Sequence, residues 1–139
     1  MSQRPFKILG IEHVGIAVEN HDGISNIFSD ILGLGYSGRE YIEDQQVNTS
    51  IFDTGRGKLE FLQSTNQNSP IARFIMKKGV GIHHIALLVD NLQEALNYLN
   101  EKGLELIDNN PRIGADGYNI AFLHPKSTGG ILVELCEKK

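Results

Sequence analysis

The chain is 139 residues long, with 40% apolar and 22% charged side chains, which predicts one folded domain hiding roughly two-thirds of its unfolded surface without a metal or disulfide staple. Thirteen Lys and Arg against seventeen Asp and Glu leave a net charge of −4. With no basic stripe of interleaved aromatics, this excludes duplex nucleic acid and anionic membrane as expected partners. The single cysteine, Cys136, fits a reducing compartment, and there is no signal-peptide-like or membrane-spanning apolar run, so the expected location is cytoplasmic.

In chain order, residues 10–20 form an apolar run of strand length, rich in Val and Ile and closed by Glu19 and Asn20. A helical pattern follows, with Ile24, Ile27, Phe28 and Ile31 on one face, Asp22 as its expected cap and Gly33 in the left-handed closing position. Strand-like runs come at 47–52 and 58–62. Residues 69–79 read as a short linking helix: Ser69 caps it, Pro70 takes the first turn, Lys77 and Lys78 the last, and Gly79 ends it. Residues 81–91 form a second strand, followed by a helix with Leu92, Ala95, Leu96 and Leu99 on one face and Gly103 at its end. Further strand-like runs occupy 104–107, 119–123 and 131–135.

Residues 10–20 and 81–91 align without a gap, and similar patterns follow each. The expected fold is therefore α+β, two paired β-α-β-β-β modules at about 8–65 and 81–137 joined by the helix at 69–79. Each half is too small to fold comfortably alone, so the two are expected to share one core, with pseudo-twofold symmetry and curved sheets around a cleft.

Alternation along a strand puts His13 with Gly15 and Ala17, and His84 with Ala86 and Leu88. The last strand of each half carries one carboxylate among apolar neighbours, Glu60 and Glu134. A buried carboxylate needs a partner, and each follows its histidine by nearly the same number of residues. Two imidazoles and two carboxylates make a donor set for one divalent ion, Co, Mn, Zn, Ni or Fe. His83 competes with His84, but repeat alignment and alternation both select His84.

This pattern, with Ser69-Pro70-Ile71-Ala72, Gly81-Ile82-His83-His84-Ile85-Ala86, and His124-Pro125-Lys126-Ser127-Thr128-Gly129-Gly130 before Leu132-Val133-Glu134-Leu135, resembles the methylmalonyl-CoA epimerases. They belong to the vicinal-oxygen-chelate superfamily, which also contains glyoxalase I. The resemblance spans about residues 8–137 and implies the vicinal-oxygen-chelate fold, a homodimer, and metal ligands at His13, Glu60, His84 and Glu134. Some members carry Gln at the position of Glu60. Some also carry a further glutamate, proposed as a second proton-transfer group, where this chain has Thr49.

The implied activity is interconversion of the (R) and (S) forms of methylmalonyl-CoA. The α-proton is removed while a divalent ion stabilises the enolate, and Glu134 is the expected base. Coenzyme A phosphates call for cations and backbone N–H donors. Lys126, Ser127, Thr128, Gly129 and Gly130, with Arg112, are the expected substrate contacts. Two other readings are a glyoxalase-I-type isomerase of a glutathione hemithioacetal, with the same ligand set, and a small-molecule-binding member without turnover. The second is disfavoured because such binders usually need no metal ligands. His21 is expected to be solvated, and Cys136, with no basic neighbour in sequence, is not expected to be a nucleophile.

Overall fold

The computed structural model describes residues 3–139, which divide into two compact units, one formed by residues 13–83 and the other by residues 3–12 with 84–139. Strand β1 (Ile8–Val18) contributes its first five residues to the second unit and the rest to the first. Among the described residues no helix is long and apolar enough to cross a membrane.

In the 13–83 unit the chain passes from β1 through a short π-helical segment, Asn26–Ile31, to β2 (Gly35–Ile42), β3 (Val47–Asp53) and β4 (Lys58–Ser64). The strand order is β2-β3-β4-β1, with β1 parallel to β4 and the other pairs antiparallel. Phe28 packs against Phe52 and Phe61, ring centroids 6.2 and 4.8 Å away, and so seats the π-helical segment on one sheet face. Gly33 closes that segment at φ +84°, as expected, but no side chain caps its start, so Asp22 does not serve there. Helix α1 (Pro70–Lys78) follows the sequence reading closely. The Ser69 hydroxyl accepts from the Ala72 amide at 3.1 Å, Pro70 stands in the first turn, and Gly79 ends the helix at φ +77°.

The other unit repeats the plan. Strand β5 (Gly81–Val89) leads to α2 (Leu92–Glu101), β6 (Arg112–Ile113), β7 (Asn119–Leu123) and β8 (Val133–Glu137). The order is β5-β8-β7-β6, again with the first pair parallel and the rest antiparallel. Asn91 caps α2 by accepting from the Glu94 amide at 3.1 Å. Leu92, Ala95 and Leu96 of α2 pack with Phe6, Val89, Ala121, Leu123 and Leu135 into the core of this unit. The run at 104–107 is not a full strand: only Leu106 bridges, to Leu123, and the third strand is instead the short Arg112–Ile113 segment.

On the face away from α2, the strands of this unit mix apolar and polar residues. In β7 and β8 that face carries Ile120, Phe122, Glu134 and Cys136, which cluster with Ala86 of β5.

Candidate metal and substrate site

Each unit holds one buried histidine beside one buried carboxylate. In the first, Gly15 of β1 stands opposite Glu60 of β4, and His13 lies two residues earlier on the same face. Its Nδ1 is 3.3 Å from Glu60 Oε2. In the other, Ala86 of β5 stands opposite Glu134 of β8, His84 lies two residues earlier, and its Nε2 is 3.2 Å from Glu134 Oε1. The two registers are identical because the parallel first pairing and two-residue alternation recur in both halves.

All four side chains are 3–5% exposed. A carboxylate so far from water requires positive charge or several donors close by. An imidazole nitrogen and a carboxylate oxygen per unit are donors that suit a borderline divalent cation. The donor chemistry and its burial therefore fit the expected metal.

Around His84 the structure adds Phe122 and Asp108, which the sequence reading did not single out, beside the Arg112 that it did. The Phe122 ring meets the His84 ring edge-on at 5.5 Å, and the Arg112 guanidinium lies 5.6 Å from the centre of the same Phe122 ring. Asp108 holds both: its Oδ2 accepts from the Phe122 amide at 2.8 Å, and its Oδ1 is 3.4 Å from Arg112 Nε. Arg112 thus reaches this region with part of its charge already answered. The available signal for Phe122 was alternation along residues 119–123, which aligns it with Glu134.

His83 points to the opposite side of β5 from His84. Its ring packs edge-on against Phe74 of α1 at 4.9 Å, the structural role that alternation assigned to it.

The loop before β8 is built by its own hydrogen bonds. The Lys126 amide donates to His124 Nδ1 at 3.1 Å. The Ser127 hydroxyl accepts from the Glu105 amide at 2.8 Å. The Thr128 hydroxyl donates to the Ile131 carbonyl, and Gly129 and Gly130 take φ of +74° and +90°. These two hydroxyls shape the loop, while Lys126 is left exposed at its surface.

Thr49 lies on the His13 and Glu60 face of its sheet, since the β3–β4 register sets Ile51 opposite Glu60 and Thr49 opposite Leu62. It is 1% exposed, and its Oγ1 has no hydrogen-bond partner.

His21 departs from the expected solvated position. Its Nε2 is 3.2 Å from the Phe61 carbonyl and its Nδ1 is 3.3 Å from Ser50 Oγ. Partial burial and the nearby Arg39 charge hold its pKa below the usual histidine value, against the opposing pull of the Phe61 carbonyl. Cys136 is a buried free thiol whose Sγ is 3.5 Å from the Leu87 carbonyl.

Known proteins resemble this chain over most of its length. The model of the Glyoxalase/Bleomycin resistance protein/Dioxygenase superfamily matches residues 12–122. Uncharacterized protein YqjC of Bacillus subtilis is 43% identical over 129 residues, covering 93% of this chain and 92% of its own. The mitochondrial methylmalonyl-CoA epimerase of Homo sapiens is 36% identical over 126 residues, 90% of this chain and 72% of its own. A solved methylmalonyl-CoA epimerase in complex with methylmalonyl-CoA and NH4+ superposes with a TM-score of 0.88 at 29% identity, covering 95% of this chain and 96% of that one.

Proposed function

This chain belongs to the Glyoxalase/Bleomycin resistance protein/Dioxygenase superfamily and, within it, to the family of the methylmalonyl-CoA epimerases; from that premise we propose that it is a metal-dependent epimerase interconverting the (R) and (S) forms of methylmalonyl-CoA. The observation that carries the reading is the buried His–Glu pair repeated at one register in both units. In this proposal His13, Glu60, His84 and Glu134 hold one divalent ion, Co, Mn, Zn, Ni or Fe. When bound, such an ion supplies Lewis-acid stabilisation for the negative charge that grows on the substrate oxygens.

The protein's own groups carry the proton. The Glu134 carboxylate takes the α-hydrogen: the C–H bond breaks, its electron pair moves into the thioester carbonyl, and the proton ends on Glu134. A second proton-transfer group on the opposite face of the planar carbon gives it a proton, which inverts the centre, and Glu134 then releases the proton it took to solvent. His84, wedged against Phe122, fixes the orientation of Glu134. Lys126 and Arg112 supply positive charge for the acyl-CoA anions, and the Ser127, Thr128, Gly129 and Gly130 loop sets the approach to β8. A homodimer is part of the proposal, supported by Ile8, Leu9 and Ile11 of β1, which are 49%, 58% and 55% exposed. The reduced, buried thiol of Cys136 suits a cytoplasmic setting.

The test is NMR of methylmalonyl-CoA in deuterated water, with each divalent ion and after its chelation. Metal-dependent loss of the α-hydrogen signal is expected. Glu134→Gln should retain metal while exchange falls by roughly 10²–10⁴-fold, the usual share of general acid–base catalysis. Absence of exchange with every ion, together with isomerisation of a glutathione hemithioacetal, would replace the epimerase reading with the glyoxalase one.

A further inference from the structure

A second polar cluster lies on the other face of the 13–83 sheet, away from Glu60. The β2–β3 register shifts between Tyr36 and Gly38, so that Tyr36 stands opposite Phe52, Gly38 opposite Ile51 and Arg39 opposite Ser50. In a regular strand, residues three apart face opposite sides. The extra residue, Ser37, puts Tyr36 and Arg39 on the same side, the kind of re-aiming for which bulges recur beside functional sites. Gly38 makes the bend at φ +117°, a conformation that disfavours side chains.

The result is a pocket of about 130 Å³ lined by His21, Ile24, Ser25, Tyr36, Arg39, Ser50 and Phe52. Its polar side is a directional relay. Because the Phe61 carbonyl can only accept, His21 Nε2 carries the hydrogen and donates to it at 3.2 Å. His21 Nδ1 is then an acceptor and takes the Ser50 hydroxyl hydrogen at 3.3 Å. The Ser50 oxygen in turn accepts from Arg39 Nε at 3.3 Å. Ser50 is 3% exposed, so this chain of bonds anchors the Nε edge of an otherwise exposed arginine to the sheet.

Arg39 has no carboxylate partner among the described residues, and Ser50 is its only hydrogen-bond partner there. Its terminal N–H groups form a planar fork held by one edge and open at the other, the arrangement that receives an oxyanion bidentately. The apolar side is Ile24 and Phe52 with the Tyr36 ring, which packs on Phe52 at 5.2 Å. The volume is below the roughly 300 Å³ at which sites for drug-sized ligands begin, and so suits one small head group.

We propose that this pocket is a binding site for a small oxyanion, a phosphate or carboxylate group, received by Arg39 and positioned by the Ser50–His21 relay. It lies on the sheet face opposite the His13–Glu60 pair and does not depend on the epimerase reading.

The test is titration of the whole protein with inorganic phosphate and, separately, with propionate. It is followed through the Arg39 Nε–H and Ser50 amide signals in ¹H–¹⁵N NMR. Saturable shifts with an apparent Kd of about 1 mM are expected, and the anion producing them identifies the head group. Arg39→Gln should weaken binding at least about tenfold, and Ser50→Ala by less, since Ser50 only positions the fork. Arg39→Lys keeps the charge and loses the fork, so weakened binding in that variant upholds the proposal even where Arg39→Gln fails to fold. No saturable shift with either anion, or parent-like binding in both arginine variants, would overturn it.

Discussion

Replacing Thr49 with valine should make the protein more stable. The substitution exchanges one hydroxyl for a methyl group of similar size and keeps the β-branch, so strand propensity and side-chain entropy barely change. Thr49 is 1% exposed and its hydroxyl has no partner, so the folded state bears the desolvation of that group without a compensating bond. Such an orphan costs about 1–3 kcal/mol, and Thr49→Val should recover about 1–2 kcal/mol. At this chain length that is a Tm rise of roughly 3–8 °C, readable by calorimetry or denaturant melts. Thr49→Ser keeps the hydroxyl and removes the methyl, and should instead lose about 1 kcal/mol. A Thr49→Val protein that melts below the parent would refute the reasoning, because the hydroxyl would then have a partner, such as a bound water, whose loss outweighs the gain. Measuring α-hydrogen exchange on the same samples separates a further role: if bound substrate uses this hydroxyl, exchange falls while Tm rises.

In a divalent-metal titration, His84→Ala should weaken affinity by more than about 100-fold, while His83→Ala, which uncovers Phe74 on the other side of β5, changes it little; equal effects would mean that the wrong histidine was chosen. Gly114→Ala should destabilise by about 1–3 kcal/mol in denaturant melts, because its Cβ would come within 2.8 Å of Ile120 Cγ2; a neutral result would show that Ile120 can move aside. His21 has a lowered folded-state pKa, so as pH falls through about 6.5 the unfolded chain takes up a proton before the folded one does, and the stability present at higher pH is lost. Melts between about pH 7.5 and 5.5 should show a steeper fall for the parent than for His21→Asn, and matching slopes would remove His21 from the account.

How much could be read from sequence depended on whether a feature was periodic. The strands around His13 and His84 were legible because two long apolar runs align, and alternation then selected the faces and separated His84 from His83. Strand β2 was not read as a run, since Gly35-Tyr36-Ser37-Gly38 resembles a turn and the strand lies at a sheet edge with mostly exposed residues. The run at 104–107 has strand composition but finds only one bridge, because Arg112–Ile113 takes the place beside β7. Ser127 and Thr128 look in sequence like ligand-binding hydroxyls. Their commitment to Glu105 and Ile131 depends on loop dihedrals that no pattern of residue types encodes. Likewise, the Asp108 that answers Arg112 is recognisable only once the backbone has turned back on itself.

The thiol of Cys136, buried beside the Leu87 carbonyl, gives this molecule a built-in clock. It is the only cysteine in the chain, so a thiol-specific reagent has one place to react, and it cannot react there until the side chains packed over that sheet face move aside. The labelling rate therefore counts openings of the packing on the face of β8 that also carries Glu134. When closing is fast relative to the chemistry, that rate divided by the rate for an exposed thiol is the equilibrium constant for opening. Slower labelling on adding a divalent ion would convert the grip of the site on its metal into a free energy, with no substrate and no turnover required.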